Sequence, residues 1–362
     1  MTYKKIVVSR LGGPDVLQVV EEDIPEPRGD QVRVRILAAG VSYADMLMRE
    51  GVHPETRRPP FTPGWDLIGM VDKLGDGASS FRAGEMVAAL PIVGGYAEYI
   101  CLSPDELVSV PAGLDPSEAV ALVLNYMTAY QMLHRSVQVE PGQRALIHSA
   151  SGGIGTALLQ LGGLAQLEMY GTASSAKSEL VSKLGARYID YKTTDFVNEI
   201  ARLTGDGVDA VFDGIGGSHV WRSYRTLRKR GRVVAYGLTS SLKAGSLAAG
   251  RRFRLKGLSS IAFYMLAAAL RPGGKRIVVY SIQNLMRRRR DWFREDLTTL
   301  FDLLAQRKFT PIIAARFPLV EARRAHELLG TNSVAGKIVL TVGASGLSFP
   351  RAVGGNPAVG LR

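Results

Sequence analysis

The 362-residue chain contains one cysteine, Cys101, which excludes an intramolecular disulfide and any zinc lobe held by four cysteines. A lone thiol fits a reducing compartment, so a cytoplasmic setting is the expectation. Histidine is scarce as well. His53, His134, His148, His219 and His326 show no ligand spacing along the chain, and each reads as structural or surface. No apolar run is long enough to cross a bilayer: residues 261–270, IAFYMLAAAL, reach only about half of the ~20 residues required. The opening residues, MTYKKIVVSR, read as a strand and lack the apolar centre of a signal peptide. Acid is missing from one long segment. Between Arg222 and Arg294 there are 19 Lys and Arg against Asp291 alone, within a total net charge of +12. The remainder of the chain is therefore net acidic, and the positive field is local.

What is present suits a soluble globular protein with two substantial cores: 46% apolar and 22% charged residues. The organising stretch is RALIHSASGGIGT, residues 144–156. Arg144 to His148 read as a short buried strand and Ser149 to Ser151 as a tight turn. Gly152, Gly153 and Gly155 then lead into an apolar helical run. Strand, glycine turn and helix in that order form the first unit of a dinucleotide-binding fold. Gly152 and Gly153 let the backbone approach a pyrophosphate, and Gly155 lets the helix pack against the strand. The helix start supplies unpaired N–H donors. Ser151 and Ile154 complete the turn, while Ala150 stands where the usual pattern has its first glycine.

Read in order, residues 1–125 are mostly short strands punctuated by Gly, Pro and Asp, which predicts a compact partial barrel with one helical excursion at 42–51. Asp45 and Arg49, four apart, predict a local ion pair on that helix. From Pro116 the period becomes helical, with Asp115 and Ser117 as capping candidates. Strands and helices then alternate: strands at 168–172, 187–191, 208–214, 232–237 and 275–282, helices at 175–185, 195–203, about 218–229 and 293–308. Such alternation predicts a parallel sheet covered on both faces. Beyond Pro311 follow a strand ending near Phe317, a helix at 320–329 and a strand at 337–342. Turn-formers fill the tail, which reads as disordered.

Four stretches coincide: AAGVSYADMLMREG, LVLNYMTAY, HSASGGIG, and GTASSAKSEL with IDYKTTDF. Together they resemble the zinc-independent quinone oxidoreductase branch of the medium-chain dehydrogenase/reductase superfamily, and within it the vesicle amine transport protein-like subgroup. The resemblance implies an α/β protein in which a doubly wound Rossmann sheet is inserted into a β-rich GroES-like catalytic domain. The expected boundaries are 1–124 for the first part of the catalytic domain, 125–308 for the NADP-binding domain, 309–342 for the second catalytic part, and 343–362 for the tail. It also implies a homodimer and an NADPH-dependent reductase of quinones or α,β-unsaturated carbonyls.

An NAD site wants an acid about 20 residues past the glycine turn, and the segment reached by that count, TASSAK at 172–177, has none. Its hydroxyls and Lys177 suit a 2′-phosphate. By resemblance Ser174, Lys177 and Tyr191 match that site. Thr128, Ser151, Gly152, Gly153, Ile154, Gly155, Gly214, Gly237 and Lys337 are the further expected cofactor contacts, with Trp65 and Asn125 as walls of the substrate cleft. Zinc dehydrogenases of the superfamily have a Cys and a His-Glu where this chain has Val41 to Asp45 and Gly64-Trp65-Asp66, so no metal site is expected. The family usually carries Asn at the position of Ser42. Ser42 and Tyr43 are the available donors for an oxyanion, and both have packing roles as alternatives. The competing function is an NADP-binding sensor or adaptor with little turnover, seated on an anionic membrane surface or RNA through its basic segment. Residues 251–290 combine basic runs with an apolar stretch, as an interfacial anchor does. An insertion packed on the protein itself is the alternative, and nucleic acid is disfavoured because the segment lacks interleaved aromatics.

Overall fold

Alternation in the first strands becomes alternation of burial. β1 (Thr2–Val8) buries Tyr3, Ile6 and Val8 and pairs antiparallel with β2 (Leu17–Asp23), which turns Glu21, Glu22 and Asp23 to solvent. The computed structural model describes residues 1–237, 264–268, 270, 271 and 273–343. The expected disordered tail beyond residue 343 and residues 251–263 of the basic segment lie outside the described residues. After β2 come β3 (Val32–Val41), β4 (Leu67–Leu74), β5 (Met86–Ala89), β6 (Tyr99–Leu102) and β7 (Leu107–Ser109), with helix α1 (Tyr43–Arg49) leaving β3 directly.

The second sheet is built from β8 (Arg144–Ile147), β9 (Glu168–Ala173), β10 (Ala186–Asp190), β11 (Val208–Asp213), β12 (Leu227–Ala235) and β13 (Arg276–Val279). All its neighbours are parallel, and the order is β10-β9-β8-β11-β12-β13. Sequence order reverses on either side of β8, so a crevice opens beyond its carboxyl end, where ligands bind in doubly wound folds. Val208, Val211, Phe212 and Val233 are fully buried, as expected of strands covered on both faces. Near the C-terminus, β14 (Ile313–Pro318) runs parallel to β15 (Lys337–Thr341), and β15 pairs antiparallel with β3. Both ends of the chain thus share one sheet.

Residues 116–137 form one continuous helix, opened by the Asp115 carboxylate, which accepts from the backbone N–H groups of Ser117 and Glu118. Asp115 is the cap rather than Ser117. The helix expected over 218–229 is shorter, His219–Arg225. Leu227 instead pairs with Val208 as the first residue of β12, and Arg228 reaches Asp209 at 2.5 Å. Pairing with β11 overrides the local helical pattern. In the arginine run, Arg287 meets Glu55 at 3.1 Å, Arg289 meets Asp291 at 2.7 Å, and Arg290 meets Asp105. Part of the positive field therefore faces the protein's own acids.

A sharp packing constraint lies at Gly155. A β-carbon there would lie 2.2 Å from the carbonyl oxygen of Ser149 and 2.7 Å from the backbone of Ala150. Backbone atoms cannot rotate away, so Gly155→Ala should destabilise the fold by about 1–3 kcal/mol. Urea denaturation measures it, and an unchanged midpoint would show that helix and turn separate without cost.

A candidate active site where the two sheets meet

The carboxyl ends of the parallel strands collect most of the expected cofactor contacts. Ser149 to Gly153 follow β8, Ser174 follows β9, Tyr191 follows β10, and Gly214 follows β11. Gly237 lies just past β12, so close to Gly214 that an added β-carbon would stand 2.3 Å from the Gly214 carbonyl oxygen. The helix Gly153–Leu164 starts with no side-chain cap on its Gly152 N-cap, which leaves its first N–H groups facing the crevice. Asn125 comes against this turn: a β-carbon on Gly153 would lie 2.2 Å from its Nδ2. Thr128, one turn further along the same helix, is buried beside the Tyr280 hydroxyl. Ile154 is half-buried and Tyr191 is 57% exposed.

Lys177 stands at the end of the single turn Ser175–Lys177 that follows Ser174. Its ammonium donates to the carbonyl oxygens of Asn332 at 3.0 Å and Val334 at 2.6 Å. Among the described residues no carboxylate pairs with it, and partial burial lowers its pKa. The segment it grips, Thr331 to Gly336, also sits on the glycine turn, because Gly336 N–H donates to the Ser151 carbonyl at 3.0 Å.

Helix α1 brings the second group. Ser42 is its N-cap: the Oγ accepts from Asp45 N–H at 3.3 Å and donates to Asp45 Oδ2 at 2.6 Å, while Asp45 Oδ2 accepts from Ser42 N–H at 3.0 Å. Tyr43 is half-buried, which raises its pKa, and its hydroxyl donates to Asn332 Oδ1. The ion pair expected between Asp45 and Arg49 does not form. Both side chains are buried, and each has its own interior partners: Gly64 N–H for Asp45 at 3.0 Å, Gly12 O, His326 and Glu50 for Arg49. Surface spacing rules do not govern a helix whose charged side chains point inward. Burial first, and then the nearby Asp66 carboxylate, push the Asp45 pKa up to about 7 against the Ser42 hydrogen bond.

Two expected site residues spend their side-chain donors on interior partners. Lys337 is 3% exposed, and its ammonium binds Asp66 Oδ2 at 2.7 Å rather than opening onto the crevice. Trp65 is also 3% exposed, packs in the main core and donates its indole N–H to Met48 Sδ at 3.0 Å. Asn332, which touches Tyr43 and Lys177 at once, was not among the expected residues. Nothing in TNSVAG signals it, since its partners lie 289 and 155 positions away.

Residues 28–112 match a family model described as alcohol dehydrogenase GroES-like domain, and residues 184–340 one described as zinc-binding dehydrogenase. A 2-haloacrylate reductase from Burkholderia sp is 32% identical over 342 residues, covering 92% of this chain and 97% of that protein. The chain belongs to the quinone oxidoreductase-like medium-chain dehydrogenases/reductases. It is also related to the VAT-1 proteins: the synaptic vesicle membrane protein VAT-1 homolog of Danio rerio is 29% identical over 346 residues, 94% of this chain and 70% of that protein. Among solved structures, the Escherichia coli quinone oxidoreductase complexed with NADPH superimposes with a TM-score of 0.81 at 26% identity, covering 93% of this chain and 99% of that one. The chain is thus an oxidoreductase of the medium-chain dehydrogenase/reductase superfamily. Among the described residues no helix is long and apolar enough to cross a membrane.

The zinc in one family description is not matched by the donors present. Ser42, Asp45 and Asp66 offer neither thiolate nor imidazole, and the Lys337 ammonium already fills the space beside Asp66. A β-carbon on Gly40 would lie 2.3 Å from Lys337 Cε. One histidine group does converge, unlike the scattered spacing in sequence. His148, Asp213 and His219 bring their ligand atoms within 4.8 Å of one another. They are already engaged: Asp213 with His219 at 2.8 Å and Ser223 at 2.7 Å, and His148 with Ser223 at 3.1 Å and Thr172 at 3.0 Å.

His326 is held by a donor on one side. Arg49 can only donate, so Nδ1 of His326 accepts at 3.1 Å and its Nε2–H faces the Tyr96 hydroxyl at 3.1 Å. Burial, and then the Arg49 charge, depress the His326 pKa to about 3. In the unfolded chain the ring takes up a proton near pH 6.5, so this histidine's stability contribution is present above that pH and is lost as pH falls toward 3. The stability advantage of the parent over His326→Asn should therefore shrink by about 1.4 kcal/mol per pH unit between pH 6 and pH 4. Urea titrations at several pH values test this, and a pH-independent difference would show that His326 stays charged in the fold.

Proposed function

We propose that the chain is an NADPH-dependent reductase that delivers hydride to small quinones or α,β-unsaturated carbonyls without a metal. The observation that carries the reading is Lys177, a half-buried ammonium whose partners among the described residues are neutral carbonyls, beside Ser174, where an NAD site would present an acid. The crevice fits a dinucleotide in one further respect: the helix that starts at Gly153 is uncapped, so its first N–H groups are open to a phosphate. The NADPH complex of the related Escherichia coli enzyme supports the same cofactor. In this reading Ser151 to Gly155, Thr128, Gly214 and Gly237 hold the dinucleotide, while Ser174, Lys177 and Tyr191 meet its 2′-phosphate. Bound there, the cofactor supplies the hydride; the protein supplies position and charge.

Addition of hydride to a carbonyl or enone leaves an oxyanion that needs a hydrogen-bond donor. The Ser42 hydroxyl proton is committed to Asp45, within a capping box that α1 requires. Tyr43 is the better donor: burial keeps its phenol protonated, and its one partner is a neutral amide oxygen. Asn125, against the glycine turn, borders the substrate.

The adaptor reading draws on the exposed apolar side chains of Met265, Leu266 and Leu270 beside Arg271. An anionic membrane surface is its partner, and the homodimer implied by family resemblance belongs with the same open proposals. The acid partners of Arg287, Arg289 and Arg290 count against a dedicated anchor in the arginine run.

Lys177→Ala should weaken NADPH by about 10- to 150-fold, the worth of one charge-assisted hydrogen bond, with NADH little changed. Fluorescence titration of both cofactors decides it, and equal losses would assign Lys177 to the fold. Tyr43→Phe should lower quinone or enone turnover about tenfold or more at unchanged NADPH affinity. Steady-state assays with 9,10-phenanthrenequinone and enones test that step, and full activity would exclude Tyr43 as the donor. A protein that binds NADPH yet oxidises it with none of these acceptors would favour the adaptor.

A further inference from the structure

Three functional elements from distant parts of the chain converge on the hexapeptide Thr331 to Gly336. Lys177 donates to the carbonyls of Asn332 and Val334, Tyr43 donates to the Asn332 side chain, and Gly336 donates to the Ser151 carbonyl of the nucleotide turn. Asn332 itself is in the left-handed region at φ +57, which Asn tolerates better than most residues. The loop is otherwise held by local bonds: Thr331 Oγ1 to Leu328 O at 2.7 Å, and Ser333 N–H to Thr331 Oγ1 at 3.2 Å. Asn332 N–H also donates to Leu329 O at 3.3 Å, and Val334 packs against the core of the N-terminal sheet; the polar contacts that reach Asn332 from distant elements are made by two residues that the proposed chemistry needs elsewhere.

We propose that Asn332 is a positioning residue that holds the Tyr43 hydroxyl out of service until an anionic 2′-phosphate draws Lys177 off the loop. This rests on the NADPH reading above. Each contact has a competing use. An ammonium bound to two neutral carbonyls gains by exchanging them for a phosphate dianion, because the opposite charge adds Coulomb attraction to hydrogen bonds that are charge-assisted in either case. A Tyr43 proton given to Asn332 Oδ1 is not available to a substrate oxygen. Once Lys177 lets go of the Asn332 and Val334 carbonyls, the backbone that aims the Asn332 side chain loses its side-chain anchor from the nucleotide domain, and the phenol is free to turn toward the cleft. The coupling needs no large motion, since one residue carries both contacts: its carbonyl binds Lys177 and its side chain binds Tyr43. It gives the 2′-phosphate, remote from the reacting carbons, a means of preparing the oxyanion donor.

The test uses nucleotide fragments that carry no hydride. 2′,5′-ADP has the 2′-phosphate, and 5′-AMP lacks it. In protein labelled with 3-fluorotyrosine, the Tyr43 resonance is assigned by its loss in Tyr43→Phe. Saturating 2′,5′-ADP should shift that ¹⁹F resonance toward the position it takes in unliganded Asn332→Ala, and 5′-AMP should leave it in place. In Lys177→Met the resonance should already be displaced, with no further movement on adding 2′,5′-ADP. Calorimetry run alongside separates the two possible failures. If 2′,5′-ADP binds at least about tenfold more tightly than 5′-AMP and the Tyr43 resonance stays still, the latch is wrong and the cofactor reading stands. If the 2′-phosphate adds no affinity, both fall. Movement with both fragments alike would assign the shift to adenosine binding and overturn the role of Lys177.

Discussion

The two larger sheets among the described residues meet at one seam, where the chain returning from helix Ala322–Gly330 lies on the glycine turn of the nucleotide fold. Gly336 makes the seam possible. It is at φ +89, and a β-carbon on it would lie 2.2 Å from the Ile312 carbonyl, so a side chain would strain the backbone and collide as well. From that position its N–H reaches Ser151, its backbone bridges Gly152, and the next residue begins β15, which pairs with β3. The crevice beyond β8 is therefore walled on one side by the catalytic sheet. Loosening the seam would disturb the phosphate end and the α1 end of the crevice together. That shared dependence is why an oxidoreductase of this build can make one end respond to the other.

Much of this was legible before any coordinates, and the reasons are local. A buried strand, three closely set glycines and an apolar helix specify the first βα unit from adjacent residues alone, and the alternation after it specifies a parallel sheet. The absence of an acid in TASSAK and the presence of Lys177 were equally readable, because cofactor preference is written in a few consecutive positions. The two-ended sheet was implied only by the family resemblance, since the short elements after Pro311 do not by themselves say which strand they pair with. What stayed hidden was every contact set by long-range packing. Asn332 meets Tyr43 and Lys177 only because helix Ala322–Gly330 delivers it there. His148, Asp213 and His219 converge only because β8 and β11 are neighbours in the sheet. Helical spacing misplaced Asp45 and Arg49 for a related reason: the i,i+4 rule assumes solvent on that face, and α1 has almost none.

The same burial explains how the N-terminal sheet manages its charge. Asp45, Asp66 and Lys337 meet where β3, β4 and β15 come together. Ionised, the two acids would leave a net negative charge in an apolar interior, which is strongly disfavoured unless a cation or a proton answers it. Lys337 answers Asp66 directly. For Asp45 the raised pKa means that a proton answers it over much of the acid range, with Ser42 and Gly64 as hydrogen-bond donors to the carboxyl. Lysine is compact enough to do this from the start of β15 only because Gly40 leaves room for its Cε. The space that a metal and its ligands would need is thus filled by an ammonium from the chain itself. The consequence reaches the chemistry. With Ser42 fixed as the cap of α1, the proposed polarisation of a substrate oxygen is assigned to the first residue of that helix. That residue is Tyr43, and the loop that accepts its hydroxyl proton is also held by Lys177, the residue proposed to meet the 2′-phosphate.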